Sequence, residues 1–158
     1  MKTVILASDH AGFSLKENIK GFLETQGFRV EDVGAHHFDE NDDYPPYMAA
    51  AVRRVIADPA ARCAVVFGGS GNGEAMVCNR FAGIRAAVWH GGDLEVVRLS
   101  RTHTDANVLS IGARVTDPDS AARAVNVWLS TSFSGDARHR RRIAAIETET
   151  AGQSKSIV

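Results

Sequence analysis

The chain has 158 residues, of which 44% are hydrophobic and 23% are charged, and its formal net charge at pH 7 is −1. This balance predicts one globular domain with its own core, without a general attraction to nucleic acid or to an anionic membrane. Two cysteines are too few for a disulfide framework, and neither a membrane-spanning run nor a signal-peptide pattern is present, so we expect a cytoplasmic protein.

Apolar runs alternate with amphipathic stretches along the chain. The apolar runs predict strands at 3–7, 28–33, 63–67, 84–89 and 108–111. The amphipathic stretches predict helices at 12–25, 47–57, 74–80, 93–101, 118–130 and 136–147. Apolar strands that alternate with helices are typical of a parallel sheet covered on both faces. We therefore predict an α/β fold, a three-layer α/β/α sandwich of the flavodoxin-like or Rossmann-like kind, spanning 1–149, with a polar tail at 150–158.

Polar residues follow the first predicted strand, at Asp9 and His10. Ligands of open parallel sheets bind at the carboxyl ends of the strands, so this pair could bind a sugar hydroxyl and a phosphate. An N-cap aspartate beside an exposed histidine explains the pair equally well.

A glycine-rich segment, 68–73, follows the third predicted strand. Its glycines allow a tight turn, and amides that converge at a helix N-terminus suit a phosphate or the oxygen of a developing enediolate. A flexible turn and a nucleotide loop are the alternatives. The segment lacks the Gly-Lys-Ser/Thr ending of a P-loop, which disfavours the nucleotide alternative.

Two titratable residues could move protons near such a site. Glu74 comes directly after the glycine loop and could shuttle a proton between adjacent carbons through an enediol, or it could simply favour a helix dipole. His103, before the fifth strand, could open a sugar ring, or it could be an ordinary helix-terminal histidine. Arg114 follows the fifth strand, and we expect it at the same edge as His103.

The last predicted helix carries a basic run at 138–142. Arg138 and Arg142 lie four residues apart and so share one face, which suits a phosphate monoester. A solvated face or a nucleic-acid patch is the usual explanation of such a run. Because the chain is slightly acidic and the run has no interleaved aromatic residues, a small phosphate is the better fit.

Seven segments stand in order along nearly the whole chain: Ser8-Asp9-His10-Ala11-Gly12, Asp43-Tyr44-Pro45, Gly69-Ser70-Gly71-Asn72-Gly73, Asn79-Arg80-Phe81-Ala82-Gly83-Ile84-Arg85-Ala86, Asn107-Val108-Leu109, Gly112-Ala113-Arg114-Val115 and Arg138-His139. Together they resemble the ribose-5-phosphate isomerase B family and its galactose-6-phosphate isomerase relatives. The resemblance implies an intramolecular oxidoreductase that uses neither a metal nor an organic cofactor. It also implies a homodimer or tetramer whose active site lies at the subunit interface.

The resemblance also implies roles for individual residues. Asp9 would contact the ring oxygen or a hydroxyl, and His103 would promote ring opening. The enediolate would be held by Ser70 and the amides of Gly71, Asn72 and Gly73, and Gly69 would also bind the substrate. Tyr44 would line the sugar pocket, while the phosphate would be bound by His10, Arg138 and Arg142, with Arg114 reaching across from the partner subunit.

Two positions depart from the family pattern. Many members carry a cysteine base where this chain has Gly68, and the chain instead resembles the actinobacterial-type branch, in which Glu74 would be the base. A thiol and a carboxylate would approach the substrate from different positions. Thr104 stands where the family usually has an asparagine that contacts sugar hydroxyls. Ribose 5-phosphate is thus the first expectation, with a tetrose or hexose phosphate, a non-catalytic sugar-phosphate-binding subunit and a nucleotide-binding protein as alternatives.

Overall fold

The computed structural model describes residues 3–151 of the chain. Within them, strands and helices alternate in the order β1 Thr3–Ser8, α1 Phe13–Thr25, β2 Arg29–Asp32, α2 Tyr44–Ala57, β3 Arg62–Gly68, α3 Asn72–Cys78, β4 Ala86–Trp89, α4 Leu94–Thr102, β5 Val108–Gly112, α5 Pro118–Ser130 and α6 Ala137–Thr150. None of these described helices combines the length and the apolar character that a bilayer crossing requires.

The five strands form one parallel sheet in the order β2-β1-β3-β5-β4. The predicted α/β/α sandwich is therefore confirmed. The flavodoxin order is 2-1-3-4-5, so here β5 lies between β3 and β4. As a result Gly68 at the end of β3 pairs with Gly112 at the end of β5, and the loops that follow these two strands are neighbours.

Helices cover both faces of the sheet, which explains why its three central strands, β1, β3 and β5, are mostly apolar. The edge strand β2 has the sequence Arg-Val-Glu-Asp and is only partly buried. Val4 and Leu6 of β1 pack with residues of α1, α4 and α5, while Ile5 and Ala7 pack on the other face with residues of α2 and α3. Alternate side chains of a strand point to opposite faces, so β1, β3 and β5 each contribute to both cores.

Two helix boundaries differ from the prediction by three residues. Helix α2 begins at Tyr44, three residues early, because Pro45 and Pro46 occupy its first turn, where the missing N–H group is not needed. This start brings Tyr44 to the carboxyl edge of the sheet. Helix α6 runs through Thr150, so that residue is helical and does not begin the predicted tail. Residues 152–158 of the predicted tail lie outside the described residues.

Candidate active site

The glycine loop lies at the carboxyl edge of the sheet and is tied to the loop after β5. The amide of Ala113 donates to the Gly68 carbonyl at 2.8 Å, and the amide of Arg114 donates to the Gly69 carbonyl at 3.1 Å. The loop thus continues the pairing of β3 with β5 beyond the ends of the strands. The predicted flexible-turn alternative is therefore wrong, since the loop has fixed partners.

The middle of the loop turns sharply at Gly71, whose φ of +80° is in the left-handed region. The buried hydroxyl of Ser110, on β5, donates to the Gly71 carbonyl at 2.7 Å. A Cβ at position 71 would lie 3.1 Å from that hydroxyl oxygen, so glycine also suits the tight space. The amide of Asn72 donates to the exposed Ser70 hydroxyl at 3.3 Å, which leaves Ser70 at the mouth of the cradle.

Glu74 lies in the first turn of α3 and is only 4% exposed. Burial raises the pKa of its carboxyl group, the nearby Asp9 charge raises it further, and the amides of Glu74 and Gly71 partly oppose the shift. A buried carboxylate with a raised pKa, directly behind an amide cradle, is suited to act as a general base near neutral pH.

The space for the Glu74 carboxylate exists because position 68 has no side chain. A Cβ built on Gly68 would overlap the carboxylate of Glu74. The Cβ of any side chain at position 68 and the Glu74 carboxylate would therefore compete for the same small volume above the end of β3.

Asp9 and His10 end β1 beside the cradle. The buried Asp9 carboxylate accepts a hydrogen bond from the Gly12 amide at 3.0 Å, so the residue does help to begin α1. The ring Nδ1 of His10 donates to Asp42 Oδ1 at 2.7 Å, and the His10 amide donates to the same oxygen at 3.0 Å. These bonds fix the ring through Nδ1 and leave Nε2 for a ligand.

Asp42 is a site residue that the sequence analysis did not single out. Its side chain is only 6% exposed, and it is held against His10. Burial raises the pKa of the Tyr47 hydroxyl, and the Asp42 charge raises it further, so Tyr47 also borders this group. No local pattern distinguishes Asp42 from its acidic neighbours, and only the tertiary contact with His10 identifies it.

Tyr44 and Arg114 lie over the loop. A Cβ on Gly73 would lie 2.8 Å from the Tyr44 hydroxyl oxygen, and a Cβ on Gly69 would lie 3.3 Å from an Arg114 guanidinium nitrogen. Tyr44 thus lines the cradle as expected. Arg114 lies beside the loop of its own chain, which differs from the expectation that it reaches across from a partner.

The remaining predicted residues form a second group around the end of α4 and the start of α6. The His103 ring lies 4.3 Å from the ring of His139, which is buried and hydrogen-bonded to the Ser134 hydroxyl at 3.0 Å. Burial lowers the pKa of His139, and the charges of His103 and Arg138 lower it further. Arg138 and Arg142 lie exposed one turn apart on α6, as predicted, and Thr104 directly follows His103.

The two groups occupy opposite edges of the sheet. Strands β3 and β5 pair from Ala64 with Val108 to Gly68 with Gly112. Those four steps span about 13 Å at roughly 3.3 Å per residue. Glu74 follows β3 and His103 precedes β5, so the whole strand length separates them. The expectation that His103 and Arg114 share one edge is therefore wrong, because His103 precedes β5 and Arg114 follows it, so the length of β5 lies between them.

A cavity of about 550 Å³ lies away from the cradle, where α6 crosses the segment 79–87. Ile146, Glu147 and Thr150 line it from the helix. Its size would accommodate a small ligand or side chains of another protein chain.

Among residues 3–151, one cluster offers ligand atoms for a metal ion: Asp9, His10 and Asp42 each have one within 4.8 Å of the others. The hydrogen bond between His10 Nδ1 and Asp42 Oδ1 already uses one such atom of each residue. The group is therefore better suited to orient His10 than to coordinate a cation.

Fold and site together define an α/β protein with an amide cradle at the carboxyl ends of its strands that suits a small anionic ligand, next to a buried carboxyl group. A sequence model of the ribose/galactose isomerase family matches residues 4–146. The chain belongs to that family.

Individual relatives agree with this assignment. Ribose-5-phosphate isomerase B of Mycolicibacterium paratuberculosis is 41% identical over 141 residues, covering 89% of this chain and 86% of the relative. The Escherichia coli protein of the same name is 37% identical, covering 92% and 95%. The crystal structure of ribose-5-phosphate isomerase B from Mycoplasma genitalium, with bound ribulose-5-phosphate, superposes with a TM-score of 0.88 at 33% identity and covers 93% and 95%.

Proposed function

We propose that this protein is an aldose–ketose isomerase that interconverts ribose 5-phosphate and ribulose 5-phosphate. The observation that carries the proposal is the buried Glu74 carboxylate, held above Gly68 at the amide cradle. Relatives named ribose-5-phosphate isomerase B, and a structural neighbour with bound ribulose-5-phosphate, support the choice of sugar. The proposed base assigns the chain to the glutamate-using branch of the family.

The proton shuttle would follow from the position of Glu74. Its carboxylate removes the proton from C2 of the open-chain aldose and returns it to C1, while a hydroxyl proton moves from O2 to O1. The enediolate formed in between carries its charge on oxygen, where Ser70 and the amides of Gly71 to Gly73 stabilise it. These groups need no reorganisation during the reaction, because their positions are set by the pairing with β5.

A furanose aldose must open before this step. The C1–O4 bond breaks, O4 gains a proton and O1 loses one. We assign the proton donor to His103 and the acceptor to Asp9, whose buried carboxylate lies beside the cradle. His10, Arg138 and Arg142 would bind the phosphate as charged or hydrogen-bonding donors.

Opposite placement of Glu74 and His103 supports a homodimer with shared active sites. About 13 Å of strand separates the two groups in one chain, so a second copy must bring its His103 edge to the cradle of the first. Exposed apolar side chains flank the cradle, with Met76 at 67% and Val115 at 58% exposure, which suits a face that a partner covers. We also propose a cytoplasmic location, because a charged sugar phosphate does not cross apolar barriers readily.

Kinetics of Glu74→Gln on ribose 5-phosphate test the proposal. General-base catalysis typically contributes about 10²- to 10⁴-fold, so we expect kcat to fall by at least about 10²-fold, with substrate binding measured by calorimetry largely retained. Glu24→Gln, an exposed carboxylate on α1, is the matched control and should behave as the wild-type protein. An unchanged kcat for Glu74→Gln would refute Glu74 as the base.

A tetrose or hexose phosphate is the second candidate substrate, because Thr104 stands where the family usually has an asparagine that contacts sugar hydroxyls. Its hydroxyl donates to the Ser100 carbonyl at 2.7 Å and so is partly committed to its own helix. A panel of tetrose, pentose and hexose phosphates separates the candidates by kcat/KM. Inertness across the panel with binding intact would support a non-catalytic subunit, and thermal stabilisation by ATP or NAD would support a nucleotide-binding protein.

A further inference from the structure

The turn that carries His103 and Thr104 has an unusual backbone at Asp105. Among residues 3–151, eight have a positive φ, and Asp105, at +45°, is the one that is not glycine. Glycine adopts this conformation at the lowest cost, whereas aspartate tolerates it less well. An aspartate at this position therefore suggests that its side chain has a task that glycine could not perform.

That side chain joins two arginines from different elements. Arg101 of α4 donates to Asp105 Oδ1 at 2.9 Å, and Arg85, which precedes β4, donates to Oδ2 at 3.2 Å. Both arginine side chains are largely buried, with 13% of the Arg101 side chain and 18% of the Arg85 side chain exposed. Charge-assisted hydrogen bonds of this kind are stronger and more directional than neutral ones.

The same two arginines also hold the backbone of the turn. Arg85 donates to the carbonyl of Thr104 at 2.8 Å and to that of Asp105 at 2.8 Å, while Arg101 donates to the carbonyl of Ala106. Three successive carbonyls are thereby fixed. The side chains of His103 and Thr104 remain exposed, so the clamp presents them outward without covering them.

We propose that Asp105 is a positioning residue for His103, and that with Arg85 and Arg101 it sets the efficiency of ring opening. This inference rests on the proposed function, in which His103 donates the proton to the ring oxygen of a sugar bound at the partner's cradle. Misplacement of a proton donor by about 1 Å can cost on the order of 10²-fold in rate. The proton shuttle at Glu74 lies at the other edge of the sheet and does not depend on this turn.

Two assays on the intact protein separate the steps. Isomerisation of ribose 5-phosphate requires ring opening. Exchange of deuterium from D₂O into C1 of ribulose 5-phosphate requires only the enediolate step, because O5 carries the phosphate and no five-membered ring can close on C2. We expect Asp105→Asn to lower aldose turnover by about 10-fold or more and to leave C1 exchange within about twofold of wild type.

Asp105→Gly removes the side chain but keeps the favoured backbone conformation. It should likewise lower aldose turnover and leave C1 exchange near the wild-type rate. Glu95→Gln is the matched control, because it breaks the exposed Glu95–Arg98 pair on the same helix and should alter neither assay. If Asp105 acts through His103, then Asp105→Asn should cause little further loss in a His103→Ala background, whereas independent effects would add.

Wild-type aldose turnover in both Asp105 variants would overturn the proposal. A parallel loss of turnover and exchange, accompanied by a lower Tm, would also overturn it, since the clamp would then be merely structural. Failure of the proposed function would give a different result from failure of the Asp105 proposal. In that case either His103→Ala would retain aldose turnover, or the wild-type protein would catalyse neither reaction.

Discussion

Glu74 and Gly68 are complementary at the level of single residues, since the carboxylate fills the space that a side chain at position 68 would need. A Cβ there must displace either the strand end or the base. The strand end is held by its pairing with β5, so the carboxylate is the part that moves.

Gly68→Ala should therefore lower kcat by roughly 10²-fold while the fold is retained, because the proton shuttle loses its alignment. Steady-state kinetics with circular dichroism would measure both effects. Gly21→Ala is the control, because a Cβ at this helical position meets nothing within 4 Å and should leave activity unchanged. A Gly68→Ala protein with full activity would show that Glu74 does not need this space.

The raised pKa of Glu74 also makes stability depend on pH in a defined direction. Because burial disfavours the charged form, the folded protein binds this proton more tightly than the unfolded chain does. The stabilising contribution is present below the unfolded pKa, near 4.5, and is lost as pH rises through the folded pKa.

Glu74→Gln should consequently gain stability relative to wild type as pH rises from about 4.5 toward neutrality. Thermal unfolding of both proteins across this range measures the difference in Tm. A constant difference would mean that Glu74 titrates alike in the folded and unfolded states. The same desolvation that destabilises the wild-type protein gives the carboxylate its strength as a base.

At the level of elements, the sequence predicted the sheet well because its three central strands, β1, β3 and β5, are buried on both faces and therefore mostly apolar. The five strands and six helices lie where the pattern indicates, with boundaries shifted by up to three residues. Helix α2 starts three residues earlier than predicted, because both Pro45 and Pro46 are compatible with a first helical turn.

Strand order was not predictable from local patterns. The buried strands β1, β3 and β5 share the same apolar character, so nothing in the sequence of β5 shows that it pairs with β3 on one side and β4 on the other. That order is what places Ser110, Ala113 and Arg114 against the glycine loop. The loop itself was predictable from its glycines, but its partners were not.

At the level of the whole molecule, the same limit applies to the site. Asp9, Glu74 and the loop are brought together as predicted, because each follows a strand at the carboxyl edge. His103 follows a helix that returns antiparallel to the strands, and this places it at the opposite edge. The closeness of His103 to β5 in the sequence did not reveal this position. A residue just before a parallel strand lies at the amino end of the strand, whereas a residue just after it lies at the carboxyl end.

If the active site is shared, two inactive chains should complement each other. In a dimer of one Glu74→Gln chain and one His103→Ala chain, one site combines the intact Glu74 with the intact His103, and the other site carries both substitutions. Random mixing makes half of all dimers mixed, so about one quarter of the sites should be intact after equal amounts are unfolded and refolded together. We expect aldose turnover near that fraction of wild type, against very low activity of each variant refolded alone. Activity that remains at the level of the separate variants would place both residues in a single-chain site, which the opposite edges of this sheet argue against.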